Sequence, residues 1–328
     1  MAETAVPTIM PGLSARPLDL RRLHFVGSGM LPVARVCAEQ GYTVSGSDVR
    51  STEGLEELGR LGVRVYAGHR AGHVPADASA VVFTHAVAEG NPEIVAARVL
   101  GLPVVHRSAV LNALMEAHAR SVAVMGTHGK SSTAGMVAFA LGRAGREPSY
   151  AIGADFDVPG GGRHQGNLSG TFVDESDRSH VGVRMHLAVV TNIAWGHPEN
   201  YSSESDVVDT FEQCIRLGLH ERGTLVLDAD SAGARELASR LGNDGPRVVT
   251  FEFSPTADWR LSEPSAQGRY TRSVLRGPHG GTYELVLRTP GTTSSSTPLP
   301  RSPRWMSWAW TATRPWTSSP TSTAWCGA

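Results

Sequence analysis

The chain of 328 residues holds a single lysine, Lys130, and the other 29 of its 30 basic residues are arginine. That bias is what a GC-rich coding sequence leaves. A lysine kept against it points to chemistry that a planar guanidinium does not supply, since the ammonium is a compact point charge. Cysteine is nearly as scarce. Cys37, Cys214 and Cys326 lie far apart and form no CxxC pair, which excludes a disulfide scaffold, argues against a structural zinc and suits a reducing compartment, the cytoplasm by default. Long apolar runs are missing, none reaching about 18 residues, and the first 20 residues carry neither a basic stretch nor an apolar one. The expectation is a chain neither exported nor membrane-spanning. Charge of one sign is missing too: 30 basic against 31 acidic residues leave a net charge of -1, so no global field draws nucleic acid or an anionic membrane. Partners must be sought at local sites.

What is present is 41% hydrophobic residues, 19% charged residues and 36 glycines, the make-up of about two globular α/β domains at this length. Residues 1–20, with Pro7, Pro11, Gly12 and Pro17, read as a flexible leader. A strand at Leu23 to Val26 then ends at Gly27-Ser28-Gly29 and opens into a helix from Met30 to Gln40, with Gly41 at its C′ position. A second strand, Tyr42 to Ser47, stops at Asp48, 21 residues beyond Gly27. Strands at Val63 to Tyr66, Ala80 to Thr84 and Pro103 to Val105, with helices after Asn91 and from Ser108 to Ala119, continue the alternation that implies a doubly wound parallel sheet over residues 21–119. At Ser121 the pattern restarts, and a second α/β domain is expected over 120–290. Its strands are placed at Ser121 to Met125, Gly170 to Val173, Leu187 to Thr191, Gly223 to Leu227, Arg247 to Phe251 and Tyr283 to Leu287. Its helices are placed at Ser131 to Leu141, Val207 to Leu217 and Ala232 to Leu241.

The strongest chemical signal is Ala123-Val-Met-Gly-Thr-His-Gly-Lys-Ser-Ser132, a strand, a glycine loop and a helix that opens on Lys-Ser. Backbone N–H groups of Gly126, Thr127, His128 and Gly129 and the helix N-terminus would cradle phosphates. Lys130 would reach the β and γ groups, and the Ser131 hydroxyl would bind magnesium. The spacing, Gly-x-x-Gly-Lys-Ser, is shorter than the general phosphate loop.

That loop, read on through Ser132 and Thr133, resembles the ATP loop of the Mur ligase family, in the form found in the branch that uses L-alanine. Other stretches agree in order: His24-Phe-Val-Gly27 with Ser28-Gly-Met30, Ser45-Gly-Ser-Asp48, Gly68-His69, Asn91-Pro-Glu93, Val104-Val-His-Arg107, Tyr150-Ala-Ile-Gly153, Val173-Asp-Glu-Ser-Asp177 and Val190-Thr-Asn-Ile193. The resemblance covers roughly residues 22–291. It implies a Rossmann-like domain for a UDP-sugar followed by a phosphate-loop domain for ATP, and a reaction in which ATP phosphorylates the carboxylate of UDP-N-acetylmuramate and the amine of L-alanine displaces phosphate. Cofactors would be ATP and Mg²⁺. By the same resemblance Lys130, Glu175 and His197 are the catalytic candidates, with Ser131, Glu175 and His197 around metal. Asn192 and Ser132 join the loop as ATP contacts. Gly27, Ser28, Gly29, Met30, Asp48, His69, Thr84 and Arg107 are candidates for the nucleotide sugar.

The sequence departs from the family at several places. Gly196 stands where an aspartate precedes His197, and Thr84-His85 stand for serines after the fourth strand. The first glycine loop, Val26-Gly-Ser-Gly-Met30, lacks about three residues of the family's Gly-x-Gly-Gly-x-Gly-Met. A structural strand turn therefore stays open there beside UDP binding. After Gly291 the composition changes: five of the seven tryptophans fall in the last 24 residues, and Asp, Glu, Lys, Val, Ile and Phe vanish. Residues 291–328 are expected to be a disordered tail. Read one base out of frame, Thr292 to Pro298 permits His and Asn-Ala at the spacing that opens the family's third domain. This suggests a frameshift near Pro290, a native tail being the alternative. Two other activities compete: ligation of a preformed peptide to the same sugar nucleotide, and non-catalytic binding of ATP or a nucleotide sugar. A nicotinamide-dependent dehydrogenase, suggested by the first βαβ unit alone, leaves the second loop unexplained.

Overall fold

The computed structural model describes residues 18–27, 29–155, 161–165, 168–175, 182–195, 201, 203–267 and 270–287. Ser28, Gly196, His197, most of the leader and the tail from 291 onward lie outside the described residues. The chain divides into two compact units, residues 1–249 and 250–328.

The first unit contains two sheets. Its N-terminal half runs β1 (Arg22–Val26), α1 (Leu31–Glu39), β2 (Thr43–Asp48), α2 (Glu53–Arg60), β3 (Arg64–Ala67), β4 (Ala80–Phe83), α3 (Pro92–Val99), β5 (Val104–His106) and α4 (Arg107–Ala117). Strand order is β3-β2-β1-β4-β5, and all four pairings are parallel. The order reverses between β1 and β4, which opens a crevice beyond their C-terminal ends where ligands of such sheets bind. Local chemistry sets the helix starts. Thr52 accepts from the Leu55 N–H to begin α2, Asn91 from the Glu93 N–H to begin α3, and prolines sit in the first turns of α1 and α3.

The second sheet begins at β6 (Arg120–Met125), followed by α5 (Lys130–Arg143), β7 (Ser149–Ala151), β8 (Gly162–Arg163), β9 (Thr171–Glu175), β10 (Met185–Val190), α6 (Glu204–Gly218), β11 (Leu219–Asp228) and α7 (Ala232–Leu241). Within this unit the order is β11-β10-β6-β9-β7-β8, parallel except for the β7–β8 pair. Helix α6 starts from a capping box between Ser203 and Asp206. One apolar core joins the two halves, with Leu23, Val36, Leu111, Met125, Phe172 and Ile215 all essentially inaccessible. The seam requires glycine at 162: a Cβ there would lie 2.1 Å from the Pro32 carbonyl oxygen in α1.

Strand β12 (Arg247–Glu252) carries the chain across the division. The second unit holds β13 (Trp259–Leu261), β14 (Ser265–Gln267), β15 (Tyr270–Arg276) and β16 (Thr282–Leu287), with β15 antiparallel to the other three. No helix among the described residues is long and apolar enough to cross a membrane.

Candidate functional site

Two glycine loops emerge at the C-terminal ends of β1 and β6, each an interior strand of its sheet. The second loop, Gly126–Gly129, is braced from below by the end of β10. Thr191, fully buried, donates its hydroxyl to the carbonyls of His128 at 2.7 Å and Met125 at 3.1 Å. Asn192 accepts from the His128 N–H at 3.1 Å through Oδ1 and donates to the His128 carbonyl at 2.9 Å through Nδ2. Thr127 Oγ1 accepts from the Ala194 N–H and donates to the Ala194 carbonyl, both at 3.0 Å. Such close approach requires Gly126: its φ is +142°, and a Cβ would lie 2.0 Å from Thr191 Oγ1. Asn192, expected to contact the nucleotide, is thus buried beneath the loop and shapes its backbone.

Lys130 and Ser131 form the first turn of α5. Lys130 Nζ donates to the Gly126 carbonyl at 2.9 Å and the Thr127 carbonyl at 3.4 Å, so the ammonium lies folded over its own loop. Ser131 Oγ donates to Glu175 Oε1 at 2.8 Å across from the end of β9, and the Gly153 N–H donates to Glu175 Oε2 at 2.6 Å. A serine hydroxyl and a carboxylate in contact beside a helix N-terminus offer two hard oxygens, a donor set that fits magnesium, which keeps several waters and takes further oxygens from phosphates. Among the described residues no group of three or more His, Cys, Asp or Glu side chains could hold a metal by itself. His128 and Ser132 are exposed on the outer side of the loop and the helix.

The C-terminal edge of the first sheet gathers the remaining candidates in strand order: His69 after β3, Asp48 closing β2, Gly27, Gly29 and Met30 after β1, Thr84 after β4 and Arg107 after β5. Arg107 donates to the Gly29 carbonyl at 3.1 Å and so ties the β5 end to the glycine loop. Asp48 accepts from the Arg50 N–H at 2.9 Å. Thr84 presents a buried hydroxyl with no hydrogen-bond partner. A cleft of about 90 Å³ opens beside the loop, with Gly27, Gly29, Asp48, Arg50, Leu55 and Val65 among its lining residues.

Residues that sequence reasoning left without a role form a cluster under this edge. Glu93, fully buried at the start of α3, accepts from Ser47 Oγ at 2.5 Å, His73 Nδ1 at 2.9 Å and the Arg70 N–H at 3.2 Å, with His24 Nε2 at 3.6 Å. Burial disfavours its charge, but the contacts from His24, Ser47 and Arg70 outweigh that and hold the carboxyl down at about 2. The Asn91-Pro-Glu93 motif carried the signal, though nothing in it showed the carboxylate's partners. Asp228, buried at the end of β11, goes the other way, to about 6, because burial outweighs the N–H groups of Asp230 and Ser231.

The site is thus a Gly-x-x-Gly-Lys-Ser loop facing a strand-end carboxylate, joined to a doubly wound parallel sheet with a glycine loop of its own. Family comparisons agree: residues 22–119 match the Mur ligase family catalytic domain and residues 169–295 the Mur ligase middle domain. The UDP-N-acetylmuramate--L-alanine ligase of Streptomyces avermitilis is 42% identical over 263 residues, 79% of this chain and 56% of that one. The ligase of the same name from Paenarthrobacter aurescens is 41% identical over 280 residues, 83% of this chain and 59% of that one. The crystal structure of a UDP-N-acetylmuramate-alanine ligase from Thermotoga maritima matches with a TM-score of 0.69 at 30% identity, covering 82% of this chain and 61% of that one. The chain belongs to the Mur ligase family. It spans 56% of the Streptomyces avermitilis relative's length.

Proposed function

We propose that the chain carries the UDP-sugar and ATP sites of an ATP-dependent ligase that joins L-alanine to UDP-N-acetylmuramate in peptidoglycan precursor synthesis. The observation that carries this reading is the convergence of Lys130, Ser131 and Glu175 on one loop, with Ser131 and Glu175 2.8 Å apart. In the reaction the γ-phosphoryl group of ATP passes to the carboxylate of UDP-N-acetylmuramate, and the amine of L-alanine then displaces phosphate from that acyl group. Lys130 exchanges its two loop carbonyls for phosphate oxygens as ATP seats, and the N–H groups at the start of α5 receive the remaining charge, those of Thr127 and His128 being engaged by Asn192. Ser131 and Glu175 would hold magnesium, which would supply further neutralisation of the phosphates. Thr191 and Asn192 keep the loop open to its ligand, a role of position. His197, the remaining candidate, lies outside the described residues, and its neighbour Gly196 removes a carboxylate from that stretch.

At the other edge, the orphan Thr84 hydroxyl and Arg107 around the first glycine loop suit a pyrophosphate and its sugar, and His69 lies beyond them, next to Asp48. Both sites lie in a compartment without membrane contact in this reading, the cytoplasm. The second reading, nucleotide binding without ligation, is favoured by the Gly196 replacement and by the shortened first glycine loop, Val26-Gly-Ser-Gly-Met30. The deciding assay incubates the protein with ATP, Mg²⁺, UDP-N-acetylmuramate and L-alanine and measures ADP and phosphate. Release that requires both other substrates supports ligation; ATP binding without release supports the second reading. A Lys130→Ala chain that binds ATP as tightly as the parent refutes the loop assignment in both.

A further inference from the structure

The buried Glu93 cluster reaches the sheet edge through a chain of three side chains. Ser47 Oγ donates to Glu93 Oε2 at 2.5 Å and lies 2.8 Å from His69 Nδ1. A serine hydroxyl has one proton, and here the carboxylate takes it. The Ser47 oxygen therefore faces His69 as an acceptor, and His69 must carry its proton on Nδ1. In the neutral ring that leaves Nε2 as an acceptor. His69 follows β3 beside Asp48, whose carbonyl accepts from the Gly68 N–H at 2.8 Å, and its side chain keeps 19% exposure while Glu93 and His24 keep none.

We propose that Glu93 and Ser47 are positioning residues that fix the Nδ1–H tautomer of His69, so that Nε2 accepts a hydrogen bond from an N–H or O–H donor on the uridine half of the nucleotide sugar. The inference rests on the UDP-sugar reading of this edge. Glu93 Oε2 also lies 3.5 Å from His69 Nδ1 itself, a second acceptor on the same side of the ring. His73 Nδ1 donates to Glu93 Oε1 at 2.9 Å, with its ring stacked on Tyr66 at 4.2 Å, so that oxygen is engaged away from Ser47. His24 meets Ser45 Oγ at 2.8 Å with Nδ1, and its Nε2 approaches the carboxylate from β1. The Arg70 backbone N–H adds the last donor. With the carboxylate surrounded by donors, it stays ionised and the Ser47 proton stays directed at it.

The test joins nitrogen NMR of the histidine rings, which reads the tautomer with no ligand present, to calorimetric titration with UDP. The parent is expected to show His69 protonated on Nδ1 near neutral pH. Ser47→Ala removes the nearer acceptor and leaves only Glu93 Oε2 at 3.5 Å from Nδ1, so the ring should shift toward the Nε2–H form and UDP binding weaken by about threefold to tenfold, the value of one neutral hydrogen bond. Ser47→Thr, which restores a hydroxyl on a β-branched side chain suited to β2, should recover both. ATP affinity, read at the other loop, should stay at the parental value in both variants. Two results overturn the proposal: an Nε2–H tautomer in the parent, or a Ser47→Ala chain that changes tautomer and binds UDP as before. A parent that shows the Nδ1–H tautomer yet binds no UDP removes the ligand reading beneath the inference, and the inference goes with it.

Discussion

Replacing Thr191 with valine keeps the shape of the strut under the phosphate loop and deletes its hydroxyl. In the parent that hydroxyl bonds the carbonyls of His128 at 2.7 Å and Met125 at 3.1 Å, at a position with no solvent access. His128 O keeps the Asn192 amide at 2.9 Å, and Met125 O keeps the Thr191 backbone N–H at 3.0 Å, so neither carbonyl is wholly orphaned. The cost is then at the low end for a buried hydrogen bond, about 1 to 2 kcal/mol. Because the bonds hold the loop rather than the sheet, part of that loss should fall on binding: about 1 kcal/mol carried into the ATP equilibrium is roughly a fivefold weaker Kd. Urea unfolding gives the first quantity and ATP titration the second, with Thr191→Ser as the control that keeps the hydroxyl. A valine variant with parental ATP affinity and a lowered unfolding free energy would refute the view that Thr191 shapes the loop for its ligand.

Three further outcomes are expected. Glu93 sits at about 2 in the folded chain against an ordinary 4.5, so it contributes stability above pH 4.5 that is lost as pH falls toward 2; Glu93→Gln should lower stability at pH 7 by roughly 3 kcal/mol and flatten the acid limb of a stability–pH curve. Asp228 is raised from 3.8 to about 6, so the folded chain binds its proton more tightly and stability declines as pH rises between those values. Asp228→Asn should therefore be more stable than the parent by roughly 2 kcal/mol at pH 7.5, with the difference fading below pH 4 in the same denaturation series. Gly162→Ala would drive a methyl to 2.1 Å from the Pro32 carbonyl oxygen, backbone that has no side-chain freedom to yield, and thermal melts should show a loss of about 3 kcal/mol or more, the upper end for overpacking.

Much of the first unit was legible. The alternation of strand and helix, the Gly-x-x-Gly-Lys-Ser loop after β6 and helix α7 at Ala232–Leu241 were read from the chain. Helix α5 starts at Lys130 and runs to Arg143, outlasting the expected stop at Leu141, because Gly142 continues the turn. Helix α2 was not foreseen: Gly54 and Gly59 dilute its pattern, and its start depends on a cap at Thr52. Strands β7 and β8, at three and two residues, are too short for a period of two to register. The antiparallel strands β13 to β15 escaped for a similar reason, lying among polar, turn-rich sequence.

The sequence by itself determined which chemistry is on offer: a lone lysine at a helix start, a serine beside it and an acid at a strand end are fixed by residue type and spacing along one segment at a time. Only the tertiary structure decided how those groups meet. Asn192 lies 64 residues from the His128 backbone it braces, and Glu93 lies 46 residues from the serine that links it to His69. Contacts of that kind depend on the order of strands in a sheet. Local sequence carries helix caps and turn signals, but strand order is settled by burying one shared core, and that choice placed the carboxylate of a helix start beneath the histidine of a loop.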